Sequence, residues 1–278
     1  GVVDILAAAE ADDTLAWWEN TAGDGSAWTE RPIVTNLRQT RKIFTADFDG
    51  DGDIDVAGIT EFFQDIRLYL NDTGDGTSWT EVIVDADVPF ACSVFTADVD
   101  QDGDQDIIGG GKRGSHLLSW WENDGTGMTW TENVIQANFT GPCSVAVADF
   151  DKDGELDVVG GAEFLDEVSW FRNPGSTPGA WAKTKINTLP FDEPKAVAAG
   201  DIDRDGDPDV IGAAEMGDSI TWFENTSGDG TTWTEHVIDD DFNDAHDVFL
   251  TDLDGDGDLD ALAASPLESP PNPIGAIT

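Results

Sequence analysis

Short apolar runs alternate with breaks rich in Gly, Asp and Asn along the whole chain, and no stretch carries the periodicity of a long amphipathic helix. The pattern is clearest between residues 41 and 84. Lys42-Ile43-Phe44-Thr45-Ala46 is one run, Ile54-Asp55-Val56-Ala57-Gly58-Ile59 a second, and Ile66-Arg67-Leu68-Tyr69-Leu70 a third that ends at Asn71. A Gly74-Asp75-Gly76 turn precedes a fourth, Ser78-Trp79-Thr80-Glu81-Val82-Ile83-Val84. Short β-rich runs bounded by Gly, Asn and Asp predict strands joined by hairpins. The set of four recurs along the chain, so the sequence predicts an all-β fold of four-stranded antiparallel blades around an axis, a β-propeller.

Tryptophan keeps the register. Trp28, Trp79, Trp130, Trp181 and Trp233 each open the fourth strand of a unit. Trp17-Trp18, Trp120-Trp121, Trp170-Phe171 and Trp222-Phe223 occupy the third, where the second unit has Leu68-Tyr69. All 11 tryptophans therefore sit at repeat-equivalent positions. Aromatics repeated in every unit are what stacked blades need between them, which favours packing over a sugar-stacking platform.

The turn between the first and second strands carries the chemistry. Asp47-Phe48-Asp49-Gly50-Asp51-Gly52-Asp53-Ile54-Asp55 reads D-x-D-x-D-G-x-x-D, and copies begin at Asp98, Asp149, Asp201 and Asp252, every 51 or 52 residues. Carboxylates at alternate positions of one short loop repel unless a cation sits among them. Hard oxygen ligands at this density suit Ca²⁺, about one per loop, better than Mg²⁺ or Zn²⁺. Glycine at the sixth position gives the sharp turn such a loop needs. An EF-hand is excluded, because it requires a Glu at position 12, where this chain has Gly58, Gly109, Gly160, Gly212 and Ala263.

With its flanks, Phe44-Thr45-Ala46 before and Val56 after, the loop resembles the FG-GAP/VCBS repeats of integrin-α-like propellers. The Trp-Trp-Glu-Asn and Trp-Thr-Glu pieces are similar to bacterial VCBS-type proteins in particular. The resemblance covers nearly all of residues 1–264 and implies a propeller with Ca²⁺ in the loop between the first two strands of each blade. It implies side-chain ligands at Asp47, Asp49, Asp51 and Asp55, with Asp53 offering its backbone carbonyl. The matching sets are Asp98, Asp100, Asp102, Asp106 with Asp104; Asp149, Asp151, Asp153, Asp157 with Glu155; Asp201, Asp203, Asp205, Asp209 with Asp207; and Asp252, Asp254, Asp256, Asp260 with Asp258. Lys152 and Arg204, inside the third and fourth loops, are expected to weaken those two sites. Such repeats occur in secreted or surface proteins, namely adhesion receptors, lectins and some polysaccharide-degrading enzymes. A shared fold does not supply one activity.

The repeats run at about 1–40, 41–91, 92–142, 143–194 and 195–245, with a partial copy at 246–264 and a Pro-rich linker or extended arm at 265–278. Asp4 aligns with Asp55, so the chain opens at the end of a loop and reads as a piece of a longer protein. Joining the two ends gives five blades with a closing blade shared by the termini. Val2–Ala8 and Leu259–Ala264 then duplicate the second strand. A larger or open ring, or pairing of the unmatched ends between molecules, is the alternative.

Composition narrows the partners. A formal net charge of −45 disfavours nucleic acid and anionic membranes, and no apolar run is long enough to insert into a bilayer. Two cysteines make no disulfide framework. With three histidines, no H-E-x-x-H and no G-x-S-x-G, nothing points to catalysis. Six residues before each loop stand Arg41, Cys92, Cys143, Lys195 and His246, which ring symmetry would gather at one channel mouth as a candidate ligand site. Three sequons, at Asn71, Asn138 and Asn225, offer glycosylation sites, two of them in hairpin turns. The expectation is a non-catalytic, extracellular, Ca²⁺-stabilised propeller at the cell surface, for adhesion or as a fibre subunit, with a surface protein or a glycan as partner. A glycan-binding lectin module and the accessory propeller of a carbohydrate-active enzyme are the alternatives.

Overall fold

A computed structural model describes residues 3–266 apart from 10–12, 36, 38–39, 61, 112–116 and 176–179. The first sheet holds β1 (Ile5–Ala9), β2 (Thr14–Glu19) and β3 (Thr29–Thr35). Four complete blades follow. Blade 2 is β4 (Thr40–Ala46), β5 (Asp55–Thr60), β6 (Asp65–Asn71) and β7 (Trp79–Asp85). Blade 3 is β8 (Ala91–Ala97), β9 (Asp106–Gly111), β10 (Leu117–Asn123) and β11 (Trp130–Ala137). Blade 4 comprises β12 (Pro142–Ala148), β13 (Asp157–Ala162), β14 (Glu167–Arg172) and β15 (Ala182–Lys185). Blade 5 comprises β16 (Pro194–Gly200), β17 (Asp209–Ala214), β18 (Ser219–Glu224) and β19 (Thr234–Asp239). A last hairpin pairs β20 (Asp247–Thr251) with β21 (Asp260–Ala264). Every pairing is antiparallel between sequence neighbours, as the repeated four-strand pattern predicts.

The first strands of successive blades pack against one another and form the inner wall of the propeller. Second strands are buried along their whole length in all four complete blades, because they face neighbouring blades on both sides. Fourth strands alternate between partial burial and exposure, as outer edges do. The tryptophans pack as the repeat pattern suggests. Trp79, Trp130 and Trp233 donate their indole N–H groups to the carbonyls of Gly76, Gly127 and Gly230 at 2.8–3.0 Å. The rings of Trp130 and Trp233 meet Phe48 and Phe150 of the preceding blade edge-on, at 5.9 and 5.8 Å.

The shared closing blade does not form. β1 pairs β2 with Ile5 opposite Trp18, and no strand of β1–β3 pairs with β20 or β21. The short β1–β2 turn fills the second-strand position locally, so β21, more than 240 residues away, finds it taken. Among the described residues no further strand thus covers the last hairpin. Leu262 is 42% exposed, whereas Ile211, at the same register position of blade 5, is 1% exposed.

Candidate metal centres

The five acidic loops join first to second strands, and one geometry recurs in all of them. Glycine at position six has φ between 93° and 105° and donates its N–H to the position-one carboxylate at 2.9–3.1 Å, from Gly52 to Asp47 through Gly257 to Asp252. A side chain there would be strained, so the glycine is required by the turn. Carboxylates at positions one, three and nine converge: Asp47, Asp49 and Asp55; Asp98, Asp100 and Asp106; Asp149, Asp151 and Asp157; Asp252, Asp254 and Asp260. In the fourth loop the converging set is Asp201, Asp203 and Asp205.

Position nine is the buried anchor. Asp55, Asp106, Asp157 and Asp209 are at most 1% exposed. One oxygen of each accepts the N–H of position two, and the other accepts the N–H of the Asn that ends the third strand. Burial pushes these carboxyls up, to about 6 for Asp55 and Asp209 and to about 7 for Asp106 and Asp157. At position three, Asp49, Asp100 and Asp203 are also raised, by burial first and by the neighbouring acids after it. Asp4 accepts the N–H of Asn20 at 2.8 Å, the same bond that Asp55 makes to Asn71, which matches the alignment of the chain start with a loop end.

This donor set fits a hard divalent cation. Asp98 and Asp201 each bury a carboxylate oxygen that has no hydrogen-bond partner, and a buried anionic oxygen facing two more carboxylates calls for a positive charge. All contributing atoms are carboxylate oxygens, the chemistry of Ca²⁺ rather than of thiolate or imidazole metals.

The finer assignments sort differently. Position-five carboxylates Asp51, Asp102, Asp153 and Asp256 lie outside the converging sets and instead accept the N–H of position seven at 2.9–3.0 Å. Position seven turns outward. Asp53, Asp104, Glu155 and Asp207 lie against Gly74, Gly125, Gly175 and Gly228 of the hairpin between third and fourth strands, where any Cβ would clash.

Lys152 and Arg204 are directed away from their own loops. Position four has positive φ in Gln101, Lys152 and Arg204, and the side chain it throws out reaches position seven of the next blade. Gln101 donates to Glu155 at 3.1 Å, Lys152 pairs with Asp207, and Arg204 pairs with Asp258. The cation that does touch ligands is Arg172, which binds Asp151 and, at 2.8 Å, Asp153. Its counterparts are Leu70, Glu122 and Glu224, so the third loop alone carries a competing guanidinium among these.

Two of the three sequon asparagines are buried. Asn71 is 7% exposed and Asn225 fully buried. The Asn225 amide donates to Phe150 of the preceding blade at 2.9 Å and accepts from Gly230 at 3.0 Å; Asn123 and Asn173 reach Phe48 and Val99 in the same way. Asn123, Asn173 and Asn225 thus link blades, and Asn138 alone of the three sequon asparagines is exposed. Neither these links nor Arg172 was read from the sequence, although Asn at a fixed place before each Gly/Asp turn is a repeat-wide polar signal.

At the other end of the first strands, Arg41, Cys92, Cys143 and Lys195 sit at a register shift of the pairing between first and second strands. The Arg41 side chain lies outside the described residues, and His246 is exposed just before β20. Cys92 and Cys143 are buried free thiols. Cys143 donates to Glu163 at 2.8 Å, and Lys195 binds Glu163 at 2.7 Å and Glu215 at 2.6 Å. Burial opposes the Lys195 charge, but those carboxylates outweigh it and raise its pKa. Cys143 and Lys195 thus meet on one acid, whereas Cys92 donates separately to the Pro142 carbonyl at 3.2 Å. Among the described side chains, Cys92 and Lys195 each reach across to a neighbouring blade, at Pro142 and Glu163.

A sequence profile described as FG-GAP-like repeat matches residues 1–58, 47–109, 98–160 and 201–263. The chain belongs to the FG-GAP-like repeat family. Each match ends just past an acidic loop, so the FG-GAP-like unit and the metal-loop period coincide. No curated protein matches the chain. Among solved structures, a lectin of Agrocybe aegerita, described as recognising non-reducing terminal N-acetylglucosamine, is similar in fold, with a TM-score of 0.62 at 19% identity. The match covers 94% of this FG-GAP-like chain and 74% of that one.

Proposed function

We propose that this chain is a non-catalytic, extracellular binding propeller whose loops hold structural Ca²⁺ and whose ligand is a glycan. The observation that carries the reading is the fivefold recurrence of a converging carboxylate set on a fold shared with a lectin. Calcium at such sites crosslinks the start of each first hairpin and neutralises acids that would otherwise repel across adjacent loops. Extracellular calcium concentrations suit modules of this kind. The loop acids are tied to backbone N–H groups of their own loops, which favours a scaffold over an active centre. A glycan array probed with and without EGTA tests the proposal: saturable binding that disappears with chelator is expected, with no shortening of a bound polysaccharide. Calcium-independent binding, or cleavage products, would count against it.

Assembly at the cell surface is a second reading, favoured by the uncovered last hairpin. Leu262 and Phe249, 42% and 63% exposed, offer an apolar surface at one end, and Ile5, 51% exposed, offers one at the other. Such unlike ends suit head-to-tail contact with a second copy.

A further inference from the structure

The linker entering each blade carries one apolar residue ten positions before the acidic loop, and the series is Leu37, Val88, Phe139, Phe191 and Phe242. In blade 4 the Phe139 ring meets Phe171 edge-on at 5.0 Å, and in blade 5 Phe191 meets Phe223 at 5.4 Å. Those rings lie 2.9 Å from where a Cβ on Gly160 or Gly212 would stand. In blade 3 the residue is Val88, and the atoms nearest a Cβ on the corresponding Gly109 are backbone atoms of Ser93 and Val94. A cavity of about 200 Å³ occupies this part of blade 3, lined by Val88, Leu117, Trp121, Ser119, Asp87 and Glu132.

The partners of the acids at this position also differ from blade to blade. In blade 2 Arg67 neutralises Asp65 and Glu81. In blade 4 Lys183 pairs with Glu167 at 2.6 Å and lies over the Phe139 ring. In blade 5 Glu235 accepts from Thr188 and from the Leu189 N–H. Among the described residues no Lys or Arg pairs with Asp87 or Glu132. Glu132 accepts the Ser119 hydroxyl at 2.8 Å, and both acids are exposed at the rim. The Trp121 indole N–H is held by Asp85 at 2.9 Å, which fixes the ring as an apolar wall.

We propose that this blade 3 cavity is a carbohydrate subsite for a single neutral or amino-substituted sugar ring. It rests on the glycan reading above and gives that reading a place. The apolar wall of Val88, Leu117 and Trp121 takes the C–H face of the ring, and Ser119, Asp87 and Glu132 accept from its hydroxyl or ammonium groups. Two carboxylates that no described Lys or Arg pairs with repel an anionic sugar, which disfavours uronic acids. The volume limits the occupant to one ring, since sites for larger ligands run from roughly 300 Å³ upward.

Saturation-transfer NMR with methyl glucoside, N-acetylglucosamine, glucosamine, glucuronic acid and butylguanidinium tests this on the full chain with Ca²⁺. Wild type is expected to bind the first three and not glucuronic acid. Val88→Phe, which supplies the ring that blades 4 and 5 carry, is expected to weaken sugar binding at least about tenfold while the melting temperature stays level or rises. D87N/E132Q keeps the cavity volume, and is expected to lose glucosamine preferentially and to admit glucuronic acid. Sugar binding unchanged in both variants would overturn the blade 3 assignment and leave the glycan reading intact. No sugar bound by wild type would overturn both, and butylguanidinium bound in the absence of any sugar would assign the cavity to a basic side chain instead.

Discussion

Asp106 and Asp157 occupy the most protected position of their loops, each accepting two backbone N–H groups and each with a carboxyl pushed by burial from 3.8 to about 7. The folded protein therefore holds these protons more tightly than the unfolded chain does. Their stabilising contribution is complete below the ordinary carboxyl value and is lost as pH rises to about 7. Chelator-treated protein is expected to become steadily less stable to urea between about pH 4.5 and pH 7, then to level off. Saturating Ca²⁺ favours the ionised form and should flatten that slope. A chelated protein whose urea midpoint rises over the same range would contradict the assignment. Arg172 gives a second residue-scale prediction. Replacing it with leucine, the residue blade 2 has there, frees Asp151 and Asp153. In Ca²⁺ titrations followed by calorimetry, Arg172→Leu is expected to tighten the weakest binding step and leave the others unchanged.

At the scale of a blade, Asn123, Asn173 and Asn225, at the ends of the third strands of blades 3, 4 and 5, each tie one blade to its predecessor. Asn225→Ala would leave the Phe150 carbonyl and the Gly230 N–H buried without partners, at a cost of about 2 kcal/mol in urea unfolding. A change within experimental error would show that the interblade link is not a stability element. The same burial predicts that expression in a glycosylating host adds sugar only at Asn138 among the three sequons, and that mass spectrometry finds none once Thr140 is replaced by alanine. The strands, their order, the loop glycine and the acidic clusters were legible in the sequence, because each depends on local spacing that recurs every 51 or 52 residues. The role of Asn225 was not, since its sequon resembles any surface turn until the preceding blade is in place. The directions of Lys152 and Arg204 were hidden for a similar reason: positive φ at position four aims them at a neighbour that lies one repeat away in the chain. Val88 stands in plain view as the smallest member of its series, yet its consequence needs the rings of blades 4 and 5 for comparison.

For the whole molecule, the proposal of Ca²⁺ in five similar loops makes the ion a global stabiliser. Each site held at a hundredfold excess over its Kd adds about 2.7 kcal/mol. In a chain of this size each kcal/mol moves the Tm by roughly 2–4 °C. EGTA is accordingly expected to lower the Tm by more than about 10 °C, and Mg²⁺ at equal concentration to restore little of it. An unchanged Tm would remove the metal from the account of the fold. The exposed ends belong to this scale too. In complete blades the positions of Leu262 and Ile5 are filled by Ile211 and Val56, which are 1% and 2% exposed, so both ends present side chains that the fold elsewhere buries. Two such ends on one molecule are dissimilar, and contacts between them repeat without closing unless the rotation per copy completes a ring. Sedimentation velocity across a concentration series is expected to show growth beyond a dimer in wild type, and monomer alone in Leu262→Glu, whose charge sits at the uncovered face without disturbing a packed core. Monomeric wild type at the highest concentrations would mean that the two end sheets are satisfied within one chain or by a different partner, and head-to-tail assembly would then be wrong.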